Sequence, residues 1–303
     1  MSEIIENRGM GWLPDYPDFR DQTIDHDELT LKLKALGQKE TVKKMISKVG
    51  VAKAPKALPA SIDLRKWFSP IEDQGSLGSC TAHAGVGLIE YFEKRAFGKH
   101  LDASRLFLYK VTRNLLHWTG DTGAFLRSTM GALVLFGVPP EEYWQYKTAD
   151  FDKEPSSFCY AFGQNYQAIS YYRLDPPGTD NKALLSRIKT NIAAGLPSMF
   201  GFTVYSSYTQ AGTSGKIPYP TKGEKIVGGH AIVAAGYDDK MKIKNSASGA
   251  AETVGALLIR NSWGTSWGDQ GYGWLPYDYV LTGLADDWWS LLKNEWVNTG
   301  HFG

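Results

Sequence analysis

Apolar side chains recur every three to four residues in three stretches of this chain, and each stretch reads as a helix. Cys80 to Phe92 places Ala82, Val86, Ile89 and Phe92 on one face. Ser104 to Leu115 and Phe125 to Phe136 follow, the latter closed by Gly137 and two prolines. After Ala168 the signal turns to short β-type runs: Ala168 to Arg173, Ser198 to Val204, His230 to Tyr237 and Ala256 to Asn261. Helices first and strands later predict an α+β fold, a helical half and a sheet half. Asp238 to Gly255 is polar, small and aperiodic, and reads as a surface loop between two strands.

The first 57 residues have a different texture. Met1 to Glu28 is acidic and aromatic (GMGWLPDYPDFRD), broken by proline and glycine. Leu29 to Lys56 carries eight lysines and one acid, Glu40. Its apolar positions (Leu29, Leu33, Leu36, then Val42, Met45, Ile46 and Val49) predict one or two short amphipathic helices broken near Gly37, with Asp27 or Thr30 as a cap. The lysines read as a solvated helix face, with pairing to the acidic stretch as a weaker alternative. Val51 to Pro59 (VAKAPKALP) reads as an exposed linker of the kind proteases cut. The division expected is an N-terminal segment over 1–57 and a main domain over 58–303.

Composition narrows the class. With 43% hydrophobic and 21% charged residues the chain can bury a sizeable core, and its net charge of +1 gives no reason to expect nucleic acid or an anionic membrane as partner. Two cysteines, Cys80 and Cys159, exclude a disulfide framework. No stretch approaches the ~18 apolar residues of a membrane span. The first residues lack a basic region followed by an apolar run, so the expected location is cytoplasmic, or exported without a cleaved signal. No metal-site spacing of His and Cys is visible, and neither a metal nor another cofactor is expected.

Cys80 follows the flexible loop DQGSLGS and opens a helix, so first-turn amides would face its sulfur and favour the thiolate that attacks a carbonyl. A histidine from elsewhere must complete such a site. Gln74 to Cys80 resembles the nucleophile loop of the papain-like (C1) cysteine proteases. Gly229-His230-Ala231, leading into Ile232 to Tyr237, is similar to that family's histidine strand. Arg260 to Gly268 (RNSWGTSWG), followed by Gly271-Tyr272, is similar to its asparagine motif. Leu58 to Arg65 resembles the start of a mature enzyme, so the likeness runs from about residue 58 to Tyr279, nearest a bacterial-type subgroup lacking the usual disulfides. Leu77 and Thr81 depart from the family pattern, which has a disulfide cysteine and a tryptophan there.

The resemblance implies a helical subdomain and an antiparallel, β-barrel-like subdomain meeting at an active-site cleft. It implies Cys80 as nucleophile, His230 as its base and Asn261 orienting the imidazole under Trp263. Gln74 would share the oxyanion hole with the Cys80 amide, and Gly123, Ala124, Phe125, Ala231 and Trp263 would contact substrate. The activity implied is peptide-bond hydrolysis on peptide or protein substrates, through a Cys–His ion pair and an acyl-enzyme. The N-terminal segment would lie over the cleft as an intramolecular inhibitor, its GMGWLPDYPDF stretch in the substrate sites. Two other readings stay open: an acyl transferase or deamidase of the same fold, and a non-catalytic binding homologue that would use DDWWSLLKNEW as a partner surface, although core packing is the more ordinary role for that stretch. His83, one turn beyond Cys80, reads as an interior histidine; Cys159 reads as structural, and Asp121, Asp238 and Asp239 as turn residues.

Overall fold

Local signals in the chain set most helix ends in the computed structural model, which describes residues 8–35, 37–51, 57–166 and 170–302. Four helices make the first half of the main domain: α3 (Cys80–Phe97), α4 (Arg105–Leu115), α5 (Leu126–Phe136) and α6 (Ser157–Gly163). They follow α1 (Leu31–Ala35), α2 (Val42–Lys48) and the short strand β1 (Ser61–Asp63). Gly98, with φ 74°, ends α3, and Ser104 caps α4 by accepting Phe107 N at 3.2 Å. Gly137, with φ 64°, ends α5 where the sequence places the stop.

The second half is a sheet with α7 (Asn181–Ala193) and two short helices, α8 (Tyr277–Leu281) and α9 (Asn294–Val297), around it. Its strands are β2 (Ser170–Arg173), β3 (Ser198–Tyr205), β4 (Ile226–Lys244), β5 (Glu252–Arg260), β6 (Tyr272–Pro276) and β7 (Ala285–Leu292). They pair antiparallel in the order β2-β7-β3-β4-β5-β6, with β1 also on β4. The path is open, so the barrel-like half is an unclosed sheet. α3 lies against β3 and β4 and beneath α4 and α5, and this contact joins the two halves.

One reading needs correction. Asp238 to Gly255 is not one loop: β4 continues to Lys244 and β5 starts at Glu252, with Lys242 opposite Val254 and Lys244 opposite Glu252. The lysines of this hairpin arm point outward while Ile243 is buried, so Lys240 to Lys244 alternates as a strand does, in a run too short to stand out among the small polar residues around it. For DDWWSLL the core-packing alternative holds and the partner surface falls away: it is a core strand, with Trp288 and Trp289 fully buried between β2 and β3.

In the N-terminal segment, Thr30 accepts Leu33 N at 3.3 Å and Gly37 (φ 85°) lies between α1 and α2. Val42, Met45 and Ile46 of α2 are buried toward β2 and α9, and Lys43, Lys44 and Lys48 face solvent. Leu36, residues 52–56 of the expected linker, and positions 168 and 169 of the expected first strand lie outside the described residues. Among the described residues no helix is long and apolar enough to cross a membrane.

Candidate active site

The first turn of α3 has backbone N–H groups without helical partners, and Cys80 is its first residue. Its sulfur receives the N–H groups of Thr81 and of Cys80 itself, of Ala231 at 3.4 Å, and of Gly11 from the N-terminal segment. These donors favour the thiolate, yet full burial outweighs them and pushes the thiol up to about 11.

β4 supplies the histidine. Val233 pairs with Arg260 at the end of β5, so Asn261 to Trp263 continue alongside His230. His230 Nε2 lies 2.8 Å from Asn261 Oδ1. The amide's orientation is fixed independently: Nδ2 donates to Tyr208 OH at 3.1 Å, and Oδ1 also accepts Ser262 N at 2.8 Å. Nε2 therefore carries the ring proton, and Nδ1, buried with no hydrogen-bond partner, is the nitrogen left to exchange a proton. The Trp263 ring lies 4.9 Å from the imidazole and Tyr208 packs edge-on against Trp263, a dry wall around that hydrogen bond. Burial brings His230 down to about 4, against a raising contribution from Asn261.

Gln74 is buried and its amide is oriented as tightly. Ser262 Oγ donates to Oε1 at 2.5 Å and Gln74 N donates to Ser262 O at 2.9 Å, so Nε2 points into the cleft. There it donates to Leu77 O at 2.7 Å and to Gly9 O at 2.9 Å. Tyr146 OH donates to Gln74 O at 2.9 Å and also meets Ser79 Oγ at 2.6 Å. Asp121 is more than a turn residue: its carboxylate accepts Gly78 N at 2.9 and 3.1 Å, tying down the loop before Cys80. His83 is interior, bonded through Nδ1 to Ser79 O at 3.1 Å and lowered by burial to about 3. Cys159 is a buried free thiol against Ser156.

The remaining expected contact residues edge the groove crossed by the N-terminal segment. Ala124 N donates to Gly11 O at 2.8 Å and Leu13 N donates to Ala124 O at 3.2 Å, while Trp12 N donates to Gly229 O at 3.1 Å. Gly123 (φ 72°) leaves room for that approach, since a Cβ there would lie 2.3 Å from Gly11 O. Phe125 turns its ring toward Trp118, and Ala231 is buried with its amide on the sulfur. Gly9 and Gly11 pass so close to the nucleophile loop that a Cβ on either would fall within 2 Å of a carbonyl oxygen, of Leu77 and Gly78 respectively.

Further along, the acidic stretch is held mainly by arginines, with one exposed pair, Lys43 to Asp27 at 3.6 Å, reaching it from the lysine-rich helices. Arg127 donates through Nε and Nη2 to the two oxygens of Asp21 at 2.8 and 2.9 Å, and it also pairs with Asp15. Arg173 donates to Asp15 O at 3.1 Å, and its own N–H meets Gln22 O at 2.7 Å. Neither arginine stood out in the sequence, nor did Tyr208; Ser262, next to Asn261 within the motif, had a signal.

A cysteine at a helix start, a histidine on β4, an asparagine just past the end of β5 and a buried glutamine amide occur here around one cleft. The family model for papain family cysteine proteases matches residues 58–288. The chain belongs to the papain family of cysteine proteases. Among solved structures, xylellain, a cysteine protease from Xylella fastidiosa, is similar at 31% identity and a TM-score of 0.71, covering 94% of this chain and 96% of that one. An uncharacterised peptidase C1-like protein of Acanthamoeba polyphaga mimivirus is 29% identical over 94% of this chain and 87% of its own length. Cathepsin K of Gallus gallus is 29% identical over 75% of this chain, which spans 62% of that relative's length. Leu77 and Thr81 replace the family's usual residues and both are buried; each meets the site through its backbone, Thr81 N on the sulfur and Leu77 O on Gln74 Nε2.

Proposed function

We propose that the chain is a cysteine endopeptidase made in a latent form, with residues 1–57 as an inhibitory pro-segment and 58–303 as the protease domain. The observation that carries this reading is the backbone of residues 9–13 running through the groove that holds Cys80, His230 and Gln74. In the released enzyme Cys80 attacks the peptide carbonyl, and His230 Nδ1 takes the thiol proton and then hands it to the leaving amine. Gln74 Nε2 and the Cys80 amide receive the oxyanion. Water then attacks the thioester, with His230 as base, and frees Cys80.

The segment escapes cleavage for a reason visible in its polarity. What it presents to the sulfur is the amide hydrogen of Gly11. Its Trp12 pairs in parallel with Ala124, and the donor Gln74 Nε2 is occupied by Gly9 O, two residues away from that amide. A substrate carbonyl would find both the sulfur and its oxyanion donor already engaged. The same burial keeps the pair uncharged, with Cys80 near 11 and His230 near 4.

The pH dependence of thiol alkylation tests this. In the intact chain, reactivity toward iodoacetamide should stay low through neutral pH and rise only as the thiol ionises toward pH 11. Once water reaches the pair, Cys80 loses its desolvation penalty and His230 regains its proton, so the released enzyme should react at a plateau across neutral pH. Hydrolysis of casein should accompany the plateau and vanish in Cys80→Ala. A plateau already present in the intact chain would remove the latency, and no hydrolysis in either state would remove the peptidase reading.

A further inference from the structure

The Trp12 side chain drops into a slot in the sheet half, and the walls of that slot are built for its shape. Gly201 on β3 forms one wall, where a Cβ would lie 1.8–2.3 Å from three atoms of the indole. Gly229 on β4 forms another, where a Cβ would lie 2.9 Å from the ring and 2.5 Å from Trp12 O. Both strands gave up a side chain where alanine would fill the space.

The floor is a carboxylate. Trp12 Nε1 donates to Asp287 Oδ2 at 3.1 Å, and Asp287 is only 1% exposed. β7 departs from regular pairing to put it there. Met199 faces Trp289 and Gly201 faces Asp286, so β7 carries an extra residue at this point, and Asp287 has the left-handed φ of 63°. Asp175 accepts the freed amides of Asp287 and Trp288, each at 3.0 Å. A non-glycine residue held at positive φ, on a bulge, with its amide taken up by neighbouring carboxylates, marks a side chain aimed for a purpose.

The charge of Asp287 is already matched. Arg173 Nη1 lies 3.1 Å from Oδ1 and Trp289 Nε1 donates to the same oxygen at 2.7 Å. A substrate cation entering the slot would compete with Arg173 for that carboxylate and add a second buried positive charge. A plain phenyl ring would leave Oδ2 buried without a donor. A neutral, planar side chain with one N–H at its far edge meets neither penalty.

We propose that the slot vacated by Trp12 is a substrate specificity pocket that selects an indole, with Asp287 Oδ2 as acceptor of its N–H. This rests on the reading of the groove as a peptide-binding cleft. The preferred substrates are peptides carrying tryptophan at the position that reaches the slot.

The test uses the full chain carrying Trp12→Ala, which empties the slot, and four peptidyl epoxides that differ in one side chain: indole, benzothiophene (the same fused rings with sulfur for N–H), phenyl and guanidinium. Labelling of Cys80 is followed by intact mass. The indole probe should react at least about tenfold faster than the benzothiophene and guanidinium probes, the range expected for one hydrogen bond to a charged acceptor. Asp287→Asn in the same background should bring the indole rate down to that of benzothiophene. Should that variant fail to fold, the comparison of the four probes on intact Asp287 still decides. Equal indole and benzothiophene rates, or a fastest guanidinium probe, would overturn the pocket while leaving the protease reading in place. Failure of all four, with Cys80 still alkylated by iodoacetamide, would take down the peptide-cleft reading and this inference together.

Discussion

Trp12→Ala in the full chain is expected to raise the labelling rate of Cys80 by roughly 10²-fold without any cut in the chain. Trp12 is 7% exposed, fills a slot made by two glycines and donates to a buried carboxylate. Truncating a buried tryptophan typically costs about 3–5 kcal/mol, and here that loss falls on the bound state of the segment alone. Every 1.4 kcal/mol is tenfold in the open population, so even the lower figure gives the predicted gain. The effect should exceed that of breaking the Arg127 pairs, which water reaches. Arg127, which holds Asp15 and Asp21, is 26% exposed, and screening weakens such pairs. An unchanged labelling rate, with the fold intact by circular dichroism, would mean that Trp12 packing does not hold the cleft shut.

Gln74→Ala, read in the Trp12→Ala background, is the second large effect. Loss of one oxyanion donor lowers kcat by about 10²–10³-fold. Cys80 labelling by iodoacetamide should change far less, because alkylation forms no tetrahedral oxyanion. Ser262→Ala should fall between the wild type and Gln74→Ala, since it removes only the hydroxyl that fixes the amide at 2.5 Å. A kcat loss under about threefold for Gln74→Ala would place the oxyanion elsewhere.

The helices were legible because their stops are local: Gly98 and Gly137 act within one turn, and Ser104 caps three residues on. The cluster of Cys80, His230, Asn261 and Gln74 was legible because each sits in a short run that resembles a family motif. The length of β4 was only partly so: Lys240 to Lys244 alternates lysines with Met241 and Ile243, but the run is short and mostly charged, and its pairing with β5 is what extends the strand. Asp287 was invisible for another reason. Its meaning depends on a bulge in β7, on Asp175 from a distant loop and on the indole of a residue 275 positions earlier. No spacing in a single sequence encodes that meeting. The N-terminal stretch GMGW could be read as a cleft occupant, but not why both glycines are needed; that follows only from the carbonyls of Leu77 and Gly78 pressed against them.

The central claim is a reactive Cys80 masked by the chain's own N-terminus. A peptidyl epoxide should be applied to the intact chain and to the same chain nicked between Val51 and Leu58, with Cys80→Ala as control and mass spectrometry to locate the label. Stoichiometric labelling of Cys80 is expected only after the nick. Equal labelling of both forms would contradict the masking, and no labelling of either, in folded protein, would contradict the nucleophile itself.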